Sequence, residues 1–267
     1  MGTSTTYGGS PKWKSVKGAV TRAAGAGPLM PQQAASTVRS FVSSMAASNT
    51  GGFGRPTGAT GSRSGRGGGG AGGSGGGRTG RSRTSQAGGV RGAASSLGQF
   101  LQDVQRHGLN DALQALGCES VDALSPTDLV LLLATLLGGS DSTIDGVDLQ
   151  NALCELLRDL TADASTLKDA ETSLQSAAGG IEQVVRDLIG NYIAERYNTT
   201  MSARLDGKLS TTQTDASLGE VRRFIDTELQ LKGAVKDLSN VDWKGTEGSS
   251  IVEELLQQTI AVFTEAS

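Results

Sequence analysis

The first acidic residue of the chain is Asp103. Ahead of it stand twelve Lys and Arg, from Lys12 to Arg91, without one Asp or Glu. From Asp103 onward come the other twelve bases and all 27 acids. The net charge of −3 is thus the difference between a basic arm of about +12 and an acidic remainder of about −15. Such asymmetry between halves points to an interaction tail joined to a folded body. The arm also holds much of the chain's glycine: residues 51–92 carry 19 of the 39. The stretch RGGGGAGGSGGGRTGRSR has no apolar periodicity, and little apolar surface to offset chain entropy. It reads as a Gly/Ser-type flexible linker.

The remainder reads differently. Leu97, Phe100, Leu101 and Val104 recur at i, i+3, i+4, i+7, the spacing of one helix face, and Gly108 follows as a stop. Leu109, Leu113 and Leu116 predict a short second helix closed by Gly117. Ser125, Pro126 and Asp128 supply N-cap, first-turn proline and first-turn acid for a helix apolar almost all round, which should be central. Further helices are predicted from Leu149 to Leu160, over about 166–178, from Ile181 through Ile193, and over about 216–238 and 249–264, the last two as a possible separate hairpin. No run alternates apolar and polar residues over a strand length. The fold class is therefore all-α, a C-terminal helical bundle behind a long, largely disordered Gly/Arg/Ser-rich arm. The expected organisation is a tail motif at 1–15, a partly helical and otherwise flexible segment at 16–50, a disordered linker at 51–92 and an all-helical domain at 93–265. Within the second segment Val38, Phe41, Val42 and Met45 share a helical face, which either docks on the domain or stands alone as a marginal helix.

Catalytic patterns are scarce. His107 is the one histidine, placed at a helix end where it can meet free carbonyls. No nucleophile-elbow GxSxG follows a strand, and no GxxxxGK[ST] phosphate loop occurs. Matches to GxGxxG in the glycine tract follow from composition and open no helix. Cys118 and Cys154 form no CxxC pair, and no ligand set for zinc surrounds them. Asp141 to Gly146 resembles the start of an EF-hand loop, but its twelfth position is Ala152 instead of a bidentate Glu, so an inter-helix turn with an Asp N-cap is the better reading. No catalytic residue, bound cofactor or metal is expected. The longest apolar run, Leu129 to Leu137, is too short to span a bilayer, and no apolar leader opens the chain; a cytoplasmic location and no membrane partner are expected.

Two features favour partners. Arg63, Arg66, Arg78, Arg81 and Arg83 lie among glycines, as in tracts that contact nucleic-acid phosphates and stack on bases, although only Phe53 supplies an aromatic nearby. The start, Met1-Gly2-Thr3-Ser4-Thr5-Thr6, has small residues that favour removal of Met1, leaving the amine of Gly2 unhindered at the tip of the arm. It also fits the loose N-myristoylation pattern.

MGTSTTYGGSPKW resembles the MGTSTS-x-GGP-type start of QatB proteins of the four-gene QatABCD anti-phage systems. The stretch from Gly108 to Leu160 is similar to their body pattern of GL-x-x-AL-x-x-LGL, an apolar helix, a Gly-rich turn and A-x-x-x-L-x-x-L. The resemblance covers roughly residues 1–15 and 93–160, with Thr6 in place of the familiar Ser. It implies a non-enzymatic component of a defence complex. Its partners would be QatC, which resembles QueC deazaguanine-synthesis enzymes, the ATPase QatA and the TatD-like nuclease QatD. It further implies that QatC attaches a 7-deazaguanine-derived group to Gly2, that Thr3, Ser4, Thr5 and Thr6 form the recognition tail, and that the helical domain is a docking platform. The alternative is a nucleic-acid-binding module using the basic arm.

Overall fold

The computed structural model describes residues 11–48, 89–118, 124–139, 142–230, 238 and 241–264. These form ten α-helices and no strands: α1 (Pro11–Ala24), α2 (Pro31–Ser48), α3 (Val90–His107), α4 (Leu109–Ala115), α5 (Pro126–Gly138), α6 (Ile144–Leu160), α7 (Leu167–Ala178), α8 (Ile181–Asp206), α9 (Thr211–Gln230) and α10 (Thr246–Thr264). The all-α class is as the sequence implied.

Helix ends follow local chemistry. Ser125 caps α5 by accepting from the Asp128 amide, and the Asp128 carboxylate reaches back, closing a capping box. Thr166 and Asp169 repeat this at α7. Gly108, at φ +88°, makes the corner between α3 and α4, and Glu171 of α7 accepts from the Leu109 amide at 2.9 Å. The Asp N-cap expected in the turn before α6 is replaced by Thr143, whose hydroxyl accepts from the Gly146 amide at 3.1 Å.

The 26-residue α8 is the axis. At 1.5 Å per residue it spans about 39 Å, and it packs against α1, α3, α6, α9 and α10. That surrounds it with apolar neighbours, so Val185, Leu188, Ile189, Ile193, Met201 and Leu205 are all buried although they point in different directions. α5, expected to be central, lies at the edge on α6 and α3, with Leu131 47% exposed. Its apolar character reflects a surface that the described residues do not cover.

The segment before the glycine tract belongs to the core, which extends the folded body beyond the expected 93–265. Trp13, Val16, Val20 and Ala24 line the buried face of α1, and Ala34, Val38, Phe41, Val42 and Met45 that of α2. The edge-to-face contacts Trp13–Phe41 (5.3 Å) and Phe41–Tyr197 (5.2 Å) join α1 to α2 to α8. The Tyr197 hydroxyl donates to Thr37 at 3.0 Å, and Arg39 pairs with Glu228 of α9 at 3.5 Å. Of the two readings for α2, docking is the one observed. Residues 16–50, expected to be only partly helical, are largely two packed helices. An absence of acids says nothing against folding when the bases sit outside: Lys12, Lys14 and Arg22 are exposed while the apolar positions face inward. At the other boundary α3 opens at Val90, inside the expected linker. Nor do α9 and α10 form a separate hairpin. α9 lies on α8 and α2, α10 on α2, α8 and α3. Buried Trp243 ahead of α10 lies against Gly98 of α3.

Candidate functional site

Gly2, Thr3, Ser4, Thr5 and Thr6 lie outside the described residues, as do Arg63, Arg66, Arg78, Arg81 and Arg83. Their attachment points are described. The terminal residues lead into Pro11, and the Gly/Arg-rich stretch connects Ser48 to Gly89. Because α1 is anchored by Trp13, only the residues up to Pro11 separate Gly2 from the folded body. Fully extended at about 3.3–3.6 Å per residue, they let Gly2 reach at most about 30 Å from the start of α1. The expectation of Gly2 at the tip of a long arm is corrected accordingly. It is on a short leash, and whatever acts on it must come close to α1.

His107 is exposed in the last turn of α3. Cys118 and Cys154 are free thiols, and burial pushes the Cys154 thiol up. Among the described residues no group of three or more His, Cys, Asp or Glu is placed to hold a metal ion. Asp145 and Gly146, from the EF-hand-like stretch, are in the first turn of α6, and Asp145 points at α8.

The densest polar arrangement is a ladder between α6 and α8. Asp145 and Asp148 stand three apart on α6; Tyr192, Arg196 and Thr199 follow at four and three on α8, so each set shares a face. The Tyr192 hydroxyl donates to Asp145 Oδ1 at 2.6 Å, and Arg196 Nε lies 3.2 Å from the same oxygen. Arg196 Nη1 donates to Asp148 Oδ2 at 2.7 Å, and Thr199 donates to Asp148 Oδ1 at 2.6 Å. The side chains of Asp148 and Arg196 are each 2% exposed. Burial pushes the Asp148 carboxyl up to about 6 against the Thr199 hydrogen bond, with the charges of Glu195 and Asp145 adding to the rise. Burial also lowers the Arg196 guanidinium to about 10. Near neutrality both are therefore ionised and paired. Tyr192 is pushed well above the ordinary phenol range by burial and by Asp145. Both Asp148 oxygens have donors and the phenol holds its proton, so the ladder has no free base or nucleophile. Its chemistry is that of a clamp.

Two further polar links fix α8. Arg186 donates to Glu182 at 2.8 Å and to Gln258 of α10 at 2.6 Å. Arg222 of α9 pairs with Glu155 of α6 and donates to Asn191 of α8 at 2.9 Å. Beside it burial raises the Asp187 and Glu195 carboxyls, helped by neighbouring acids. Of these residues the sequence drew attention to Asp145, in the EF-hand-like stretch, and to Tyr192, on an apolar face, but to neither as part of a polar link. The signal available was charge at core positions: Arg186 and Arg196 interrupt the wide apolar run of α8, and a buried charge requires a partner.

No curated protein and no solved structure matches the chain. A family does: residues 75–263 match the family described as QatB, Qat anti-phage system associated protein QatB. The match covers α3 to α10 almost entirely, including the whole clamp, and leaves out α1, α2 and the terminal MGTSTT. It spans well over half of the chain, and on that ground the chain belongs to the QatB family, a component of the Qat anti-phage defence system.

Proposed function

We propose that this protein acts in the Qat system without catalysing a reaction itself, as the substrate of a QueC-like partner that modifies Gly2 and as a platform on which other components assemble. The observation that carries this reading is the short leash. A Gly-initiated segment, similar to the family's terminal motif, is tied within about 30 Å of a rigid helical body. An enzyme acting on the amine therefore has a body to dock against. The amine is also the right nucleophile. A terminal α-amino group titrates near 7.7–8.0 while a lysine titrates near 10.4, so at neutral pH far more of it is deprotonated. Loss of Met1 exposes it, and Thr3 to Thr6 give the partner a short polar segment to read; the amine then attacks a carboxyl of the 7-deazaguanine that the partner has activated with ATP, forming an amide at the Gly2 nitrogen as the activating phosphate group and the amine proton leave. QatA and the TatD-like QatD are the further components proposed to assemble on the helices. The polar clamp supports the non-catalytic part of the reading, because its ionised groups are engaged with one another.

The test is intact-mass and N-terminal peptide analysis of the protein expressed with and without the QueC-like partner. A partner-dependent mass increase at Gly2, lost in Gly2→Pro, is the expected result. Unmodified Gly2 in both samples would remove the modification reading. The arm's Arg63, Arg66, Arg78, Arg81 and Arg83 supply a second reading, phosphate contact with nucleic acid, whose mark is steep loss of binding with salt.

A further inference from the structure

A cleft of about 480 Å³ opens between α1 and the last two turns of α8. Lys17 and Thr21, one turn apart on α1, form one wall; Thr200, Arg204 and Lys208 line the other. Among the described residues no acidic and no aromatic side chain lines it. Elsewhere in the body six arginines, Arg39, Arg91, Arg186, Arg196, Arg222 and Arg223, each face a carboxylate. Lys17, Arg204 and Lys208 have no carboxylate partner among the described residues. Part of this has a plain explanation, because bases near the C-terminus of α8 offset its dipole. That does not account for Lys17, which comes from another helix and brings a third positive charge to the same concavity. Like charges gathered in a cleft repel one another unless an anion is bound there.

We infer that the α1–α8 cleft is a binding site for phosphate groups, held by Lys17, Arg204 and Lys208. The Thr200 hydroxyl is a further donor, whereas the Thr21 hydroxyl is already donated to the Lys17 carbonyl at 2.9 Å. The described lining offers charges and a hydroxyl and no aromatic ring for a base to stack on, so recognition is of phosphate and not of sequence. The phosphates belong either to a nucleic-acid strand or to a free nucleotide. The site is distinct from the arm arginines, and it stands or falls separately from modification of Gly2.

The experiment uses the full chain with Arg63, Arg66, Arg78, Arg81 and Arg83 changed to Ser, so that the arm does not mask the cleft. A fluorescent single strand of about 20 nucleotides and ATP are titrated separately at low salt, with Lys17→Gln/Arg204→Gln/Lys208→Gln as the test variant and Lys168→Gln/Lys244→Gln as the control. The expected result is binding of at least one probe, weakened about tenfold or more in the triple variant and unchanged in the control. For the strand, the slope of log affinity against log salt should fall by roughly 2, at about 0.7 for each phosphate no longer neutralised. Strand binding alone identifies a nucleic-acid site, and ATP binding alone a nucleotide site. Failure of both probes, or equal binding by the triple variant and its parent, overturns the assignment. The three side chains are on the surface, so the variant should keep the parent's melting temperature; if it does not, Lys17→Arg/Lys208→Arg, which keeps the charge, must still bind.

Discussion

Gly98 in the middle of α3 faces the ring of Trp243, and a Cβ placed there would fall 2.5 Å from Trp243 Cδ2. Glycine in a helix interior ordinarily gives way to alanine with a gain of up to about 1 kcal/mol. Here the ring is fully buried and cannot retreat, so Gly98→Ala should reverse the sign and cost about 1–3 kcal/mol, measured by urea unfolding. Gly190→Ala is the contrast. Its Cβ would run into Leu229 Cδ1, but that is the far end of a flexible side chain, so its loss should be clearly smaller. A stabilised Gly98→Ala would show that the α3–Trp243 contact is not as tight as described. Asp148 gives a pH prediction. Its folded carboxyl lies near 6, above the ordinary 3.8, so its contribution to stability is present below about pH 4 and lost as pH rises through 6. Asp128 and Asp169 act oppositely. Their capping hydrogen bonds lower them, so their contribution is lost as pH falls through those lowered values. The stability of the parent relative to Asp148→Asn should therefore decline between pH 4 and 6.5. A flat difference would mean that Arg196 holds Asp148 at its ordinary value. The apolar stripes around these residues, such as Leu97, Phe100, Leu101 and Val104, were legible from spacing alone. That Gly98 must be glycine was not, because the ring that requires it arrives from far along the chain.

Helices with internal signals were readable, and those defined by what they pack on were not. α5 announces itself by Ser125–Asp128 and α8 by its apolar run. α1 has little of this. It contains Gly18, three lysines and no acid in its first turn, and it is held by Trp13, Val16 and Val20 inserting against α2 and α8. Tertiary packing stabilises a helix whose own propensity is poor. Trp13→Ala should then cost about 3–5 kcal/mol, the range for emptying a buried aromatic site. It should also abolish the hydrogen-exchange protection of α1 amides before that of α8. A cost under about 0.5 kcal/mol would return residues 11–24 to the status of a loose tail and lengthen the leash on Gly2. A single helix shows that Arg196 needs a partner but not which one, since Asp148 is identified only when α6 lies along α8. Arg196→Met should cost about 3–5 kcal/mol by leaving Asp148 buried without its cation, and joint replacement with Asp148→Leu should recover much of that loss. Additive losses in the double-mutant cycle would show that the two do not act as a pair.

At the scale of the whole molecule the charge split was legible and its boundary was not. The basic part divides into two packed helices and the 40 residues at 49–88 that connect α2 to α3. Because α2 and α3 are both fixed in one body, this connection closes a loop and does not lead out to a free end. Its effect on stability should then be one of closure alone. Closure entropy changes by only about 0.6 kcal/mol for each halving of length, so deleting residues 59–78 should raise stability by about that amount and leave the helical circular dichroism unchanged. The deletion removes Arg63, Arg66 and Arg78. Phage protection can then be compared between the shortened chain and a full-length chain with those three changed to Ser. Protection retained by both would exclude these arm arginines from function and leave Gly2, the α1–α8 cleft and the helical surfaces to carry it. Protection lost by both would make the arm's charge the working feature. Loss in the shortened chain alone would show that the length of the connection matters, because a partner has to fit through or against the loop it closes.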